Sequence, residues 1–341
     1  MTSNATPQGR PAETPAARVV VVGCGAVGGI FTARLARVFE VAVLDPWAEH
    51  VEAIGSRGLR VTVRAAAPGG RDDTIETRPA TAALSAASLR GRAFTHALIA
   101  VKGPHTREAV DGARELLDGT VVLTVQNGLG NAETIAAGCP SPVCHGVTMN
   151  AGEVASPGEI VQAEAGPTWL GPLPHRAALA DAEGWGALLA GAGMECHVLP
   201  DPRGMIWSKL IFNAAVNPLP VVTGLRLAAV YADPDAFALL HALVDEGKAV
   251  AAARGIALPV DPAAVVDEHR ALGSAHTHQG SMKQDIDRGR PTEIDFVTGA
   301  LIAEADRAGV PVPALRTVYR LVKAIETGAV AAHTRTARGS A

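Results

Sequence analysis

Residues 18–28 read Arg-Val-Val-Val-Val-Gly23-Cys-Gly25-Ala26-Val27-Gly28, and no other stretch restricts the fold as much. Four consecutive β-branched residues predict a short strand buried on both faces. The glycines then follow as Gly-x-Gly-x-x-Gly, and apolar positions at Ile30, Leu35 and Val38 open a helix. A Gly-rich turn between a strand and a helix is the context in which this spacing carries meaning. Gly25 lets a backbone approach a pyrophosphate, and the free N–H groups of the helix start favour its charge. Gly23, Gly25, Ala26, Val27 and Gly28 are therefore candidate cofactor-binding residues.

The pattern continues as alternating strands and helices. Strands are expected at 41–44, 59–64, 96–101 and 120–125, with a hairpin turn at Gly69–Asp73. Such alternation predicts an α/β fold whose N-terminal domain is a Rossmann-type parallel sheet covered on both faces. Asp45 ends the second strand, 22 residues after Gly23, where a carboxylate can accept both adenosine ribose hydroxyls and repel a 2′-phosphate. That favours NAD, with NADP possible. Asp45 can also be read as a helix cap, because Pro46 follows. Lys102 and Asn127 end two further strands on the same sheet edge, where open α/β folds bind ligands. Residues 143–200 are richer in Gly and Pro, with short strand candidates at 143–149, 159–163 and 194–199.

From about residue 202 the pattern turns helical, with segments expected at 202–216, 233–254, 280–288, 294–308 and 312–327. The expected domains are a Rossmann dinucleotide-binding domain over 18–200 and an all-helical substrate domain over 201–328, with loose tails at 1–17 and 329–341. Within the first helix, Lys209, Asn213 and Asn217 are four residues apart and fan over roughly 80° of one face. The opposite face carries Trp207, Leu210, Ile211 and Ala214. The chain has five lysines against 25 arginines, so a lysine here stands out. Lysine, unlike arginine, can lose its proton when desolvated and so serve as a general acid. The competing reading is a plain solvent-facing side. Ser281 and Glu293 each fall at a helix start, where backbone N–H groups are free. Each could bind a ligand there, or simply cap the helix or meet its dipole.

Composition narrows the function class. Net charge is −4 with no basic run, which argues against nucleic acid as a partner. Four scattered cysteines without a CxxC pair suggest a reducing compartment and neither a metal site nor a disulfide framework. No apolar stretch reads as a membrane span and no signal peptide is evident, so a cytoplasmic protein is expected.

Taken in order, Gly23-x-Gly25-x-x-Gly28, Val101-Lys102, Gln126-Asn127-Gly128-x-Gly130, Lys209-x3-Asn213-x3-Asn217, Ser281-Met282-x-Gln284-Asp285 and Thr292-Glu293-Ile294-Asp295 resemble the ketopantoate reductases (2-dehydropantoate 2-reductases). The resemblance covers roughly residues 18–327. It implies an oxidoreductase of pantothenate biosynthesis that transfers hydride from a nicotinamide cofactor to a small-molecule 2-oxo acid, possibly as a homodimer. It makes Lys209 the catalytic acid, with Glu293 holding the reacting hydroxyl and Lys209 in place. Asn213, Asn217 and Ser281 would bind substrate oxygens, and Asn127 would line the nicotinamide side. Two positions depart from the family. Asp45-Pro46-Trp47 stands where an arginine commonly meets the NADP phosphate. His278, a substrate-binding candidate, stands where the pantoate-making enzymes often have asparagine. An NAD-dependent D-2-hydroxyacid dehydrogenase for another branched or aromatic 2-oxo acid is the alternative, and a non-catalytic NAD-binding regulator a minor one.

Overall fold

A computed structural model of the chain describes residues 17–65, 70–79, 81–273 and 280–339. His278, Gly69 and most of the N-terminal segment read as a tail lie outside the described residues. The N-terminal half contains twelve described strands. They are β1 (Arg18–Val22), β2 (Glu40–Leu44), β3 (Leu59–Val63), β4 (Asp73–Thr77), β5 (Thr81–Ala83), β6 (His96–Ile99), β7 (Val121–Thr124), β8 (Val143–Thr148), β9 (Ala151–Ser156), β10 (Glu159–Glu164), β11 (Thr168–Pro172) and β12 (Cys196–Val198). Between them run α1 (Ala26–Leu35), α2 (Ala48–Arg57), α3 (Thr106–Leu117), α4 (Asn131–Gly138) and α5 (Leu179–Gly191).

Eight strands form one sheet in the order β12-β11-β8-β7-β6-β1-β2-β5. All neighbours are parallel except β8 and β11. Val19 to Val22 are buried at 3% exposure or less, as expected of a strand with helices on both faces. The sequence reading missed a second sheet, β4-β3-β10-β9. Its strands are short and half polar, so their apolar pattern is weak, and only the β3–β4 hairpin was foreseen. This sheet packs on α1 so tightly that a Cβ on Gly29 would lie 1.9 Å from Ile160 Cδ1.

The C-terminal half is helical: α6 (Arg203–Val216), α7 (Leu219–Thr223), α8 (Leu227–Ala232), α9 (Pro234–Ala253), α10 (Pro262–Leu272), α11 (Ser281–Asp287), α12 (Ala300–Ala308) and α13 (Pro313–Gly339). Trp207, Leu210, Ile211 and Ala214 of α6 sit in its main core with Leu240, Leu243 and Val244 of α9. The Arg203–Thr223 run is long and apolar enough to cross a membrane by length and composition, contrary to expectation, but 72% of that window is buried in the fold. It is a core helix, apolar nearly all round because the other helices surround it.

Three further differences have physical causes. The α10 segment was missed because its apolar face is short: Val266 is fully buried, and most of its neighbours reach solvent. The segment read as one helix from 294 begins as a π-helical turn, Asp295–Gly299. Residues 329–339, read as a loose tail, continue α13; their several alanines are the best helix formers.

Candidate active site

The Gly-rich loop is shaped by missing side chains. Gly23 has φ +89°, and a Cβ there would meet Val101 Cγ1 at 2.6 Å. A Cβ on Gly28 would lie 1.9 Å from the Gly23 carbonyl oxygen, so α1 can press against the loop only with glycine there. Gly25 caps α1 with no side-chain hydrogen bond and no acidic residue in the first turn, and a Cβ on it would meet nothing within 4 Å. Open space in front of free N–H groups is the surface a pyrophosphate needs. The residues present therefore fit a dinucleotide.

Asp45 is 8% exposed. Its Oδ2 accepts from the Cys24 N–H at 2.8 Å and its Oδ1 from the Trp47 N–H at 2.9 Å. The carboxylate thus ties the second strand to the glycine loop. It is not the cap of α2, which starts after Trp47. Buried His50 braces the same loop. Its Nδ1 accepts from the Gly158 N–H at 3.0 Å, so its Nε2, 2.9 Å from the Cys24 carbonyl, carries the proton.

The Asn127 loop is held by a polar chain at the sheet edge. Gln126 Nε2 donates to the Val101 carbonyl (2.6 Å) and to Thr106 Oγ1 (2.9 Å). Thr106 donates to Asn131 Oδ1 (3.0 Å), whose amide donates to the Asn127 carbonyl (3.0 Å). From this fixed loop Asn127 Oδ1 accepts from Asn213 Nδ2 across the domain seam at 3.4 Å. Phe296 of the π-helical turn closes the seam nearby. A Cβ on Gly128 would lie 2.1 Å from its carbonyl oxygen, and one on Gly103 would lie 2.7 Å from its ring.

Lys209 reaches over this seam from α6 and donates to the Thr148 carbonyl at the end of β8. Burial lowers its pKa to about 8, while Glu164 and then Glu293 favour its charged form. Glu293, just before the π-helical turn, accepts from the Gly103 N–H at 3.1 Å. Burial pushes its carboxyl upward; the Gly103 bond, Lys102 and the Asn127 amide oppose that, and Asp285 adds to it. Lys102 forms a two-oxygen ion pair with buried Asp285 of α11. Asn217 is the C-cap of α6, and Ser281 is the first residue of α11, one turn before Asp285.

The structure therefore brings together Lys209, Asn213, Asn127 and Glu293, with Lys102 joined to them through Asp285 and Glu293. Sequence reasoning missed Thr148 and Gly103, which act through backbone atoms and leave no side-chain signal. It also missed Glu164 and Phe296. A separate cavity of about 590 Å³ opens on the other side of the Asn127 loop, lined by His145, Arg203, Arg254 and Glu304. It contains none of the residues around Lys209.

Two family models match the chain: "Ketopantoate reductase PanE/ApbA" over residues 19–175 and "Ketopantoate reductase PanE/ApbA C terminal" over 201–326. A curated 2-dehydropantoate 2-reductase from Pyrococcus horikoshii is 29% identical over 310 residues, covering 91% of this chain and 98% of its own. Among solved structures, a PanE/ApbA family ketopantoate reductase from Ralstonia eutropha JMP134 aligns with TM-score 0.79 and 29% identity over 92% of this chain and 99% of its own. A D-mandelate dehydrogenase solved with NADH and anilino(oxo)acetate aligns with TM-score 0.80 over 92% of this chain and 99% of its own; at 24% identity it bears on the fold alone.

Proposed function

Because the chain belongs to the ketopantoate reductase family, we propose that it reduces 2-dehydropantoate in the cleft between its two domains, with Lys209 as proton donor. The chain is an oxidoreductase that converts a 2-oxo acid to a 2-hydroxy acid with a nicotinamide cofactor. The finer reading is a cytoplasmic enzyme that prefers NAD, with its domain boundary near residue 200.

When bound along the Gly-rich loop, the cofactor supplies hydride to the ketone carbon. Gly23, Gly25, Ala26, Val27 and Gly28 hold its pyrophosphate, Asp45 its ribose, and Asn127 faces its reactive end. Negative charge develops on the substrate's ketone oxygen as the carbon is attacked. The Lys209 ammonium stabilises that charge and passes its proton to the oxygen, becoming a neutral amine. A pKa near 8 suits this, since a catalytic acid works best when its pKa lies near the working pH. Glu293 orients the reacting hydroxyl and the amine. Asn213, Asn217 and Ser281 bind substrate oxygens. Lys102 flanks the cofactor edge and ties the two domains through Asp285. The observation carrying this reading is the placement of a buried lysine from the helical domain against β8, beside Asn127 and Glu293.

A second reading has one observation in its favour. Phe212, one turn beyond Lys209, packs edge-on against His269 at 5.1 Å between ring centroids, and His269 packs against Tyr231 at 5.8 Å. An aromatic group beside the proton donor suits a bulkier 2-oxo acid, as a D-2-hydroxyacid dehydrogenase would take. Assaying 2-dehydropantoate against branched and aromatic 2-oxo acids, with NADH and NADPH, separates the two. The first reading expects the highest kcat/KM on 2-dehydropantoate. A higher value on an aromatic acid would replace it with the second.

A further inference from the structure

Around Lys209, one acidic side chain has no role in the reaction as described. Glu164 is the last residue of β10. Along that strand Ile160 and Gln162 are each 1% exposed, so strict alternation would bury Glu164 with them. Alternation fails at this point. Gln162 pairs with Gly152 of β9, yet Glu164 pairs with the very next residue, Ala151. One extra residue on β10 makes a bulge, and bulges re-aim side chains. Glu164 is accordingly exposed while its two alternation partners are buried.

The bulge is pinned by the network that fixes the Lys209 acceptor. Gln162 Nε2 donates to the Glu164 carbonyl at 3.1 Å and to Asn150 Oδ1 at 2.8 Å. Asn150 Nδ2 in turn donates to Thr148 Oγ1 at 2.9 Å and to the Gly166 carbonyl at 2.8 Å. Thr148 is the residue whose carbonyl accepts from Lys209. One pair of amides therefore sets both the seat of the ammonium and the backbone of Glu164.

We propose that Glu164 is a positioning residue for Lys209, its carboxylate turned by the β10 bulge to hold the proton donor in its ammonium form over Thr148. This rests on the reading of Lys209 as the acid. The groups facing Lys209 come from three elements: Glu164 from β10, the Thr148 carbonyl from β8, and Glu293 from the segment before α12. Glu293 is itself faced by Lys102, Asp285, Asn127 and the Gly103 N–H, so much of its charge is directed elsewhere. Glu164 is faced by Tyr231 of α8, whose hydroxyl it helps keep protonated, after burial as the larger cause. Of the two acids, Glu164 has the stronger effect on Lys209.

The test is the pH profile of kcat/KM for 2-oxo acid reduction in wild type, Glu164→Gln and Glu164→Asp, with Lys209→Ala alongside. In wild type the rate falls as pH rises through about 8, where Lys209 loses its proton. Removing a nearby negative charge destabilises the ammonium, so Glu164→Gln should bring that fall in earlier by about half a pH unit or more, while Glu164→Asp stays near wild type. A purely structural residue would lower the profile without moving it. A Glu164→Gln limb that coincides with wild type, while Lys209→Ala is inactive, overturns the proposal and leaves the Lys209 reading intact. Full turnover in Lys209→Ala would overturn that reading and this proposal with it.

Discussion

The glycine loop and the cleft around Lys209 face the same bound molecules, yet they are built in opposite ways. The loop is six consecutive residues, and it works through backbone N–H groups and missing side chains. The cleft works through side chains gathered from distant positions. Gly103 and Glu293, hydrogen-bonded here, are 190 residues apart, and Lys102 and Asp285 are 183 apart. The two regions also differ in cost. In the loop each close contact is relaxed once glycine is present, whereas the cleft holds an amine whose charged form its surroundings disfavour. Binding is therefore placed where the fold is most comfortable, and chemistry where it is strained.

The sharpest way to break this comparison is Lys209→Ala. The expected loss in kcat is about 10² to 10⁴, with NADH affinity unchanged by fluorescence titration, since Lys209 makes no contact with the glycine loop. A matching fall in NADH affinity would mean that the two regions are not separable. Stability should move the other way. The folded-state pKa of Lys209 is about 8 against an ordinary 10.5, so the folded protein binds fewer protons between these values. The penalty is full below pH 8 and is relieved as pH rises towards 10.5. Lys209→Met should therefore raise Tm by about 2 °C or more at pH 7, and by less at pH 10.

This contrast also explains what the sequence could disclose. The strand, the glycines and α1 are local, and period and spacing are enough to read them. The face of Lys209, Asn213 and Asn217 was legible for the same reason, being set by one helix. What that face would meet was not legible. The Thr148 carbonyl and the Gly103 N–H belong to every residue's backbone, so nothing in their side chains marks them. Glu164 was hidden because a one-residue bulge, which no pattern in β10 announces, decides which way it points. Phe296 reads as one more apolar residue until Gly103 and Gly128 are seen to make room for it.

Within the loop itself, two glycine substitutions should separate shape from binding. Gly28→Ala places a methyl against the Gly23 carbonyl, so α1 must shift. Cofactor affinity should fall by roughly tenfold or more and Tm by about 4 °C or more. Gly25 has φ −65° and open space around its would-be Cβ. Gly25→Ala should leave Tm within about 2 °C of wild type and still weaken NADH binding, because the methyl occupies the approach of the pyrophosphate. Equal Tm losses in both variants would show that the open space at Gly25 is not a ligand surface.

Asp45 is where the two building styles meet: a side chain serving a backbone loop, and the smallest of the expected effects. Its two oxygens already accept from the Cys24 and Trp47 N–H groups, leaving their other lone pairs for ribose hydroxyls. A 2′-phosphate brought to the same place meets a carboxylate, and such like-charge contact disfavours the wrong ligand. The two arginines that could answer a phosphate are committed. Arg57 donates to the Pro157 carbonyl at 3.3 Å, and Arg60 pairs with Glu76 at 2.9 Å and Glu159 at 3.8 Å. Wild type should therefore show a higher kcat/KM with NADH than with NADPH. Asp45→Asn removes the charge and keeps one acceptor, so the preference should shrink by about tenfold, or 1.4 kcal/mol, with a small fall in Tm from the lost loop bond. Wild type preferring NADPH would defeat the claim. An unchanged ratio in Asp45→Asn with a lower Tm would leave Asp45 as a brace for the loop and move the source of cofactor choice elsewhere on the sheet edge.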